Sequence, residues 1–386
     1  MKKLALFLLA VALTGCGAGN RKSDAEVETK AVEESDFFVF DLEAGIEQEP
    51  KATTLNELID SISYIPLETH SDALLSDRFL SFAKMGNDLF VVDGLPNKTY
   101  LYQFDSLGRF VKPILRPGRG PNEIVMLGGW YVHPRLKQLN FVDLASKMII
   151  VQTDSGEKST VEISRSQDFE WVPLNDSTFV TSQRLNSLPI PNTYLYFFDR
   201  AGHLVHAIER NDELLSHNSN RSEQGQAPPY EAYGLFSDYK GDAIFQDIFN
   251  DTLYRIKNYR EITPHLVFKR GALSPRPEDK QNAERKKKQV HFVDIKESRD
   301  YVFLRYLHDD KRSLEVWSKR DGSLMLRGSH SIPFMLPDGT LAKQLHISYV
   351  EEDTIYGVLG ALDASKFLPG IAEDDNPVVV VMKLKK

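Results

Sequence analysis

The sequence predicts an all-β fold: a six-bladed β-propeller of four-stranded antiparallel blades, its last blade closed by an N-terminal strand. Three observations predict it. Short β-rich runs, each after a polar turn, recur six times, at 89–93, 139–143, 178–182, 243–247, 301–305 and 354–358, with a mean spacing of 53 residues. A second series follows them at 100–105, 148–153, 194–199, 252–257, 313–318 and 378–383, with a mean spacing of about 56. The sixth unit offers only three strands before Lys386, and an unassigned strand, SISYIPLE (61–68), is free to dock beside VVVVMK (378–383). That docking closes the ring and leaves no open sheet edge between the first and last blades.

Composition is compatible with this. The 386 residues are 41% hydrophobic and 26% charged, an ordinary globular balance. A net charge of −8 argues against non-specific nucleic-acid binding, so no nucleic-acid partner is expected. The single Cys excludes disulfide stapling and any cysteine zinc cluster.

Taken in chain order, residues 1–15 read as a signal peptide. Lys2 and Lys3 precede an apolar run from Leu4 to Leu13, too short for a spanning helix. The run ends in Leu13-Thr14-Gly15-Cys16, which resembles the lipobox of bacterial lipoproteins. The resemblance implies cleavage before Cys16 and a diacylglycerol on its sulfur, hence a membrane partner through an N-terminal lipid anchor. Residues 16–54 are assigned to the lipidated Cys and a flexible acidic tether. The polar stretch 17–36 cannot bury enough apolar surface to fold alone. Within it, Ser23-Asp24-Ala25-Glu26 resembles acidic export signals of some Bacteroidota lipoproteins.

Residues 55–386 are assigned to the propeller. A strand precedes each member of the first series, at 79–85, 128–134, 169–174, 233–239, 291–297 and 345–351. A fourth strand follows the second series after a tight turn. Asp105-Ser106-Leu107-Gly108 leads into 110–114 and Asp199-Arg200-Ala201-Gly202 into 204–208, with Asp and Gly suited to the left-handed positions of hairpin turns. The 326 residues from 61 to 386 allow about 54 per blade for six blades. Seven blades would need a seventh member of each series, and none is found.

The run Gly118-Arg119-Gly120-Pro121-Asn122-Glu123 resembles the G-x-G-P-G-E motif of a Bacteroidota family of six-bladed propeller lipoproteins, distantly similar to NHL and TolB-type propellers. YIPLET (64–69) and Asn250-Asp251-Thr252-Leu253-Tyr254 match further phrases of that family. Asn122 stands where the family has Gly, and Asn also tolerates the left-handed region. The resemblance implies a fold and an address in the cell envelope, at the outer membrane and either periplasmic or surface-exposed. It implies no reaction.

Candidate functional residues follow from loop lengths. Connections between second and third strands, and between blades, share one face of the disk, and several are long (183–193, 209–232, 269–290, 329–343 and 359–377). On that face Arg119 and Glu123 flank a Gly-Pro turn with Asn122. They suit a carboxylate or a sugar hydroxyl, and they equally suit pinning one blade to the next. Tyr230, after Pro228-Pro229, is an aromatic expected to be partly exposed, of the kind that stacks on sugar rings. His308 and Asp309 form the best His/carboxylate cluster, or else a solvated turn. The ten His have no metal spacing, and Glu373-Asp374-Asp375 lacks the ligand alternation of a calcium loop, so no metal and no cofactor are expected. No nucleophile elbow, zinc-protease helix or dinucleotide fingerprint is present. The favoured function is a non-enzymatic, envelope-anchored binding or scaffold module that presents its long-loop face to a glycan, peptide or partner protein, such as an envelope protein. The alternative is a polysaccharide lyase or glycoside hydrolase whose residues are gathered from several blades.

Overall fold

The chain enters the fold along its outside. The computed structural model describes residues 37–385 apart from 77–79, 96–97, 121–122, 144, 146, 163–170, 183–192, 210–232, 238–239, 280–281, 330 and 343–344. Strand β1 (Phe38–Asp41) leads into helix α1 (Leu42–Glu47), capped by the Asp41 carboxylate, which accepts from the Ala44 amide at 3.0 Å. A 3-10 turn at Leu55–Leu58 then leads into β2 (Ile59–Pro66).

Six antiparallel blades follow. Blade 1 is β3 (Ser81–Met85), β4 (Asp88–Leu95), β5 (Lys98–Phe104) and β6 (Phe110–Pro117), with the two-residue β7 (Glu123–Ile124) parallel to its outer edge. Blade 2 is β8 (Leu127–His133), β9 (Gln138–Asp143), β10 (Lys147–Gln152) and β11 (Lys158–Glu162). Blade 3 is β12 (Trp171–Pro173), β13 (Thr178–Ser182), β14 (Thr193–Asp199) and β15 (Leu204–Glu209). Blade 4 is β16 (Tyr233–Ser237), β17 (Ala243–Asp247), β18 (Thr252–Asn258) and β19 (Glu261–Lys269). After α2 (Ala283–Lys287), blade 5 is β20 (His291–Glu297), β21 (Tyr301–His308), β22 (Lys311–Ser318) and β23 (Leu324–Gly328). Blade 6 is β24 (Leu345–Glu351), β25 (Thr354–Leu359) and, after α3 (Ala361–Ala364), β26 (Val378–Leu384), with β2 as its outer strand. The fold is the six-bladed propeller expected from the two series.

Closure occurs as the hydrophobic pattern requires. Residues Ser61 to Pro66 pair antiparallel with Lys383 to Val378. The seam between blades 6 and 1 is sealed by the buried amide of Asn376. Its Nδ2 donates to the Glu68 and Ala73 carbonyls, both at 2.7 Å, and its Oδ1 accepts from the Leu75 amide at 2.8 Å. Tight turns fasten the rim as well. Gly108 has φ +81°, and a Cβ there would stand 2.0 Å from the Pro66 carbonyl oxygen of the preceding blade, so only glycine fits.

One expectation needs correcting. Residues 37–54, assigned to the tether, are part of the folded body. β1 pairs parallel with β19 as a fifth strand of blade 4, and Phe40 stacks on Phe268 at 4.9 Å and meets Trp317 edge-on at 5.9 Å. Gly45 of α1 lies flat on the Trp317 indole, and Arg327 of blade 5 donates to the Gly45 and Gln48 carbonyls. The amides of Lys51 and Ala52 donate to Leu324 and Met325 of β23. This strap covers the outer edges of blades 4 and 5 before β2 completes blade 6. Its acidic, low-periodicity sequence resembles a linker, because only Phe40, Leu42, Gly45 and Ala52 are fully buried, while Phe38 and Ile46 pack half-buried against the same core as Phe40 and Leu42.

Candidate functional site

The sequence-derived candidates do not converge. Cys16, Asn122 and Tyr230 lie outside the described residues. Glu123 turns back on its own loop: its carboxylate accepts from the Gly120 amide at 2.8 Å and fills the space where a Cβ on Gly118 would stand. Lys147 of blade 2 donates to the Gly120 and Glu123 carbonyls at 3.0 and 2.7 Å. Asp143, also of blade 2, accepts from the amides of Val125 and Met126. The motif therefore staples blade 1 to blade 2. Arg119 is exposed and takes no hydrogen bond or ion pair among the described residues. His308 is half-buried at the end of β21, and Asp309 and Asp310 form a two-residue hairpin turn with φ 50° and 59°. That turn clasps α2: Lys287 pairs with Asp310 at 3.0 Å, and the Asp309 amide donates to the Lys287 carbonyl.

The concavity that does form lies on the propeller axis. The inner strands β3, β8, β12, β16, β20 and β24 surround a channel, and a cavity of about 150 Å³ within it is lined from four of them. Its walls carry Phe82, Trp130, Tyr131 and Tyr349, with Ser81, Ser348, Lys296 and Glu297 as polar contributors. None of the described sequence-derived candidates lines it; Trp130 and Tyr131 of β8 do. Trp130 stacks on Phe141 at 5.8 Å with the planes 7° apart, which fixes its ring. The Tyr349 hydroxyl is buried and has no hydrogen-bond partner; burial raises its pKa, so it stays protonated at neutral pH. The 3-10 turn after β8 (Pro134–Leu136) carries Arg135 past blade 3 to an ion pair with Asp242 of blade 4.

Behind the channel wall sits a buried charge cluster that no sequence pattern reveals, because its members come from three separated segments. Nε2 of His265 (β19) lies 2.8 Å from both oxygens of Glu297 and so donates to that carboxylate. Lys319 donates to the same carboxylate at 2.7 Å and to the Ser298 carbonyl at 2.8 Å, with the Phe38 ring 5.1 Å beyond its Nζ. Arg255 lies 3.1 Å from the His265 nitrogen and 3.6 Å from Asp242. Burial works against the charged carboxylate, yet the hydrogen bond from His265 and the charge of Lys319 hold Glu297 down to about 2. Glu297 is thus ionised and committed to its partners at neutral pH. Among the described residues no group of three His, Cys, Asp or Glu is placed to hold a metal, and no helix is long and apolar enough to cross a membrane.

Comparison with known proteins agrees with the architecture. The crystal structure of BF0058 of Bacteroides fragilis, a protein described as exported, superposes with a TM-score of 0.67 at 15% identity, covering 91% of this chain and all of that one. A DUF4221 member from Bacteroides vulgatus gives a TM-score of 0.49 at 13% identity over 85% of this chain and 97% of its own. No curated protein matches the chain by sequence. The family model of the domain of unknown function DUF4934 matches residues 37–383, strap included, and the chain belongs to that family.

Proposed function

We propose that the protein is a binding or scaffold module of a bacterial cell envelope, tethered by a lipid on Cys16, that receives part of a glycan, peptide or partner protein in its central channel. The channel cavity carries this reading. At about 150 Å³ it has room for roughly five waters or one ring-sized group. A stacked aromatic face (Trp130) with Ser81 and Ser348 among the lining residues is what a polar, ring-bearing ligand needs. The sequence Leu13-Thr14-Gly15-Cys16 and the exported character given for BF0058 support the envelope address.

The test uses a panel of polysaccharides, cell-wall fragments and peptides, scored by melting shift and by product release. A binding module gives a shift without products, and the shift, measured from each variant's own ligand-free melting temperature, disappears in Trp130→Ala. Released products would instead favour the lyase or hydrolase reading, and a shift unaffected by Trp130→Ala would remove the channel as the site. Retention of Cys16→Ala on membranes would refute the anchor.

A further inference from the structure

Buried polar groups in native proteins are almost always paired. Among the described residues eight buried side-chain nitrogen or oxygen atoms make no hydrogen bond, and five of them belong to one seam. They are Nε2 of His133, Oε1 of Gln138, both amide atoms of Asn140 and Nε1 of Trp171. Each of these residues is at most 2% exposed.

Strand register places them together. His133 is directly opposite Gln138, and Tyr131 opposite Asn140, across the β8–β9 pair. Residues two apart share a face, so all four side chains project from the same side of blade 2. That side packs on blade 3: Val142 and Ile150, on the same face, cluster with Trp171, Phe179 and Tyr196. The β12 strand carrying Trp171 lies against β8.

The chemistry of the set specifies its occupant. Burial, then the charge of Arg135, lowers the His133 pKa, so its ring is neutral at pH 7. Its Nδ1 accepts from the Leu136 amide at 3.3 Å, which leaves the hydrogen on Nε2, on a ring that also has the Leu174 backbone of blade 3 close by. The seam therefore presents donors from His133, Trp171 and the Asn140 amide nitrogen, with acceptors from Gln138 and Asn140. It carries no net charge and offers only two oxygens, too few for a cation. Gln138 and Asn140 are about 7 Å apart along one strand face, and their side-chain amides do not bond each other. A molecule with two donors and two acceptors spans that gap. Tyr131, on the same face, and the adjoining Pro134 line the channel cavity, so the seam borders a space that already admits solvent.

We propose that the seam between blades 2 and 3 is an internal hydration site, in which water bridges His133, Gln138, Asn140 and Trp171 and exchanges with the central channel. The reading is independent of what the channel binds.

Two equally buried indoles make the test internally controlled. Trp171 and Trp317 are each 1% exposed, but the Trp317 Nε1 donates to Glu315 at 3.0 Å. In the full chain carrying ¹⁵N-tryptophan, with Trp171→Phe used only to assign its signal, the Trp171 indole should show a cross-relaxation peak with water. It should also exchange its hydrogen at least tenfold faster than Trp317. In Asn140→Leu, which removes both bridging atoms, that water peak should vanish while the Trp317 signal is unchanged. A Trp171 indole as protected as Trp317 and without a water peak would overturn the proposal. So would a peak that survives Asn140→Leu undiminished.

Discussion

Glu297→Gln removes one charge from a fully buried cluster and changes little else in shape. In the native protein the carboxyl is held at about 2 against an ordinary value of 4.5. Its folded pKa is therefore the lower one, the unfolded chain binds more protons between those values, and stability rises with pH across that window. A difference of this size corresponds to roughly 3 kcal/mol of stability at pH 7, nearly all retained at pH 5 and about half lost near pH 3. The variant loses that contribution and leaves Lys319, whose side chain is 4% exposed, without its carboxylate. Urea unfolding of both proteins from pH 7 down to the lowest pH at which the native protein stays folded should show a gap of about 3 kcal/mol that narrows only below about pH 4.5. A gap that is already absent at pH 7, or that stays constant down to pH 3.5, would refute the assignment of Glu297 as a charged partner of His265 and Lys319.

Three further outcomes are expected. Gly45→Ala places a Cβ 2.3 Å from the Trp317 ring, and because that indole is held by Glu315 the strap must shift, lowering stability by about 1–3 kcal/mol in urea titration; an unchanged midpoint would mean the strap packs loosely. A chain beginning at residue 55 should still unfold cooperatively at a reduced temperature, whereas one beginning at residue 75 lacks β2 and should lose the cooperative transition; wild-type melting of the shorter chain would remove β2 from the ring. Arg119→Ala should leave the melting temperature unchanged, while Glu123→Ala, which frees the Gly120 amide, should cost roughly 1–2 kcal/mol; equal effects of the two would contradict the staple.

The architecture was legible because of where a propeller hides its strands. Second and third strands pack between neighbouring blades on both faces, so β9 is buried at every residue and β26 reads as a run of valines. Those two positions in each blade produced the two series. An outer strand such as β6 has one wet face and a weaker pattern, and was located from the Asp and Gly of the turn before it. The strap 37–54 was not legible. Its contacts are with Phe268, Trp317 and Arg327, more than two hundred residues away, and a short amphipathic stretch has no periodicity to announce them.

For the site, local motif and spatial assembly part company. Six blades, a closing strand within 61–68 docked on 378–383, and a Gly-Arg-Gly-Pro-Asn-Glu turn were readable from the chain alone, because periodicity and turn chemistry are properties of neighbouring residues. Only the tertiary structure decided that Glu123 staples two blades, and that the channel gathers Phe82, Trp130, Tyr131 and Tyr349. It alone brought His265, Glu297 and Lys319 into one buried cluster. A ring of six similar units places side chains from distant segments around one axis, and no window of sequence contains the distances between them.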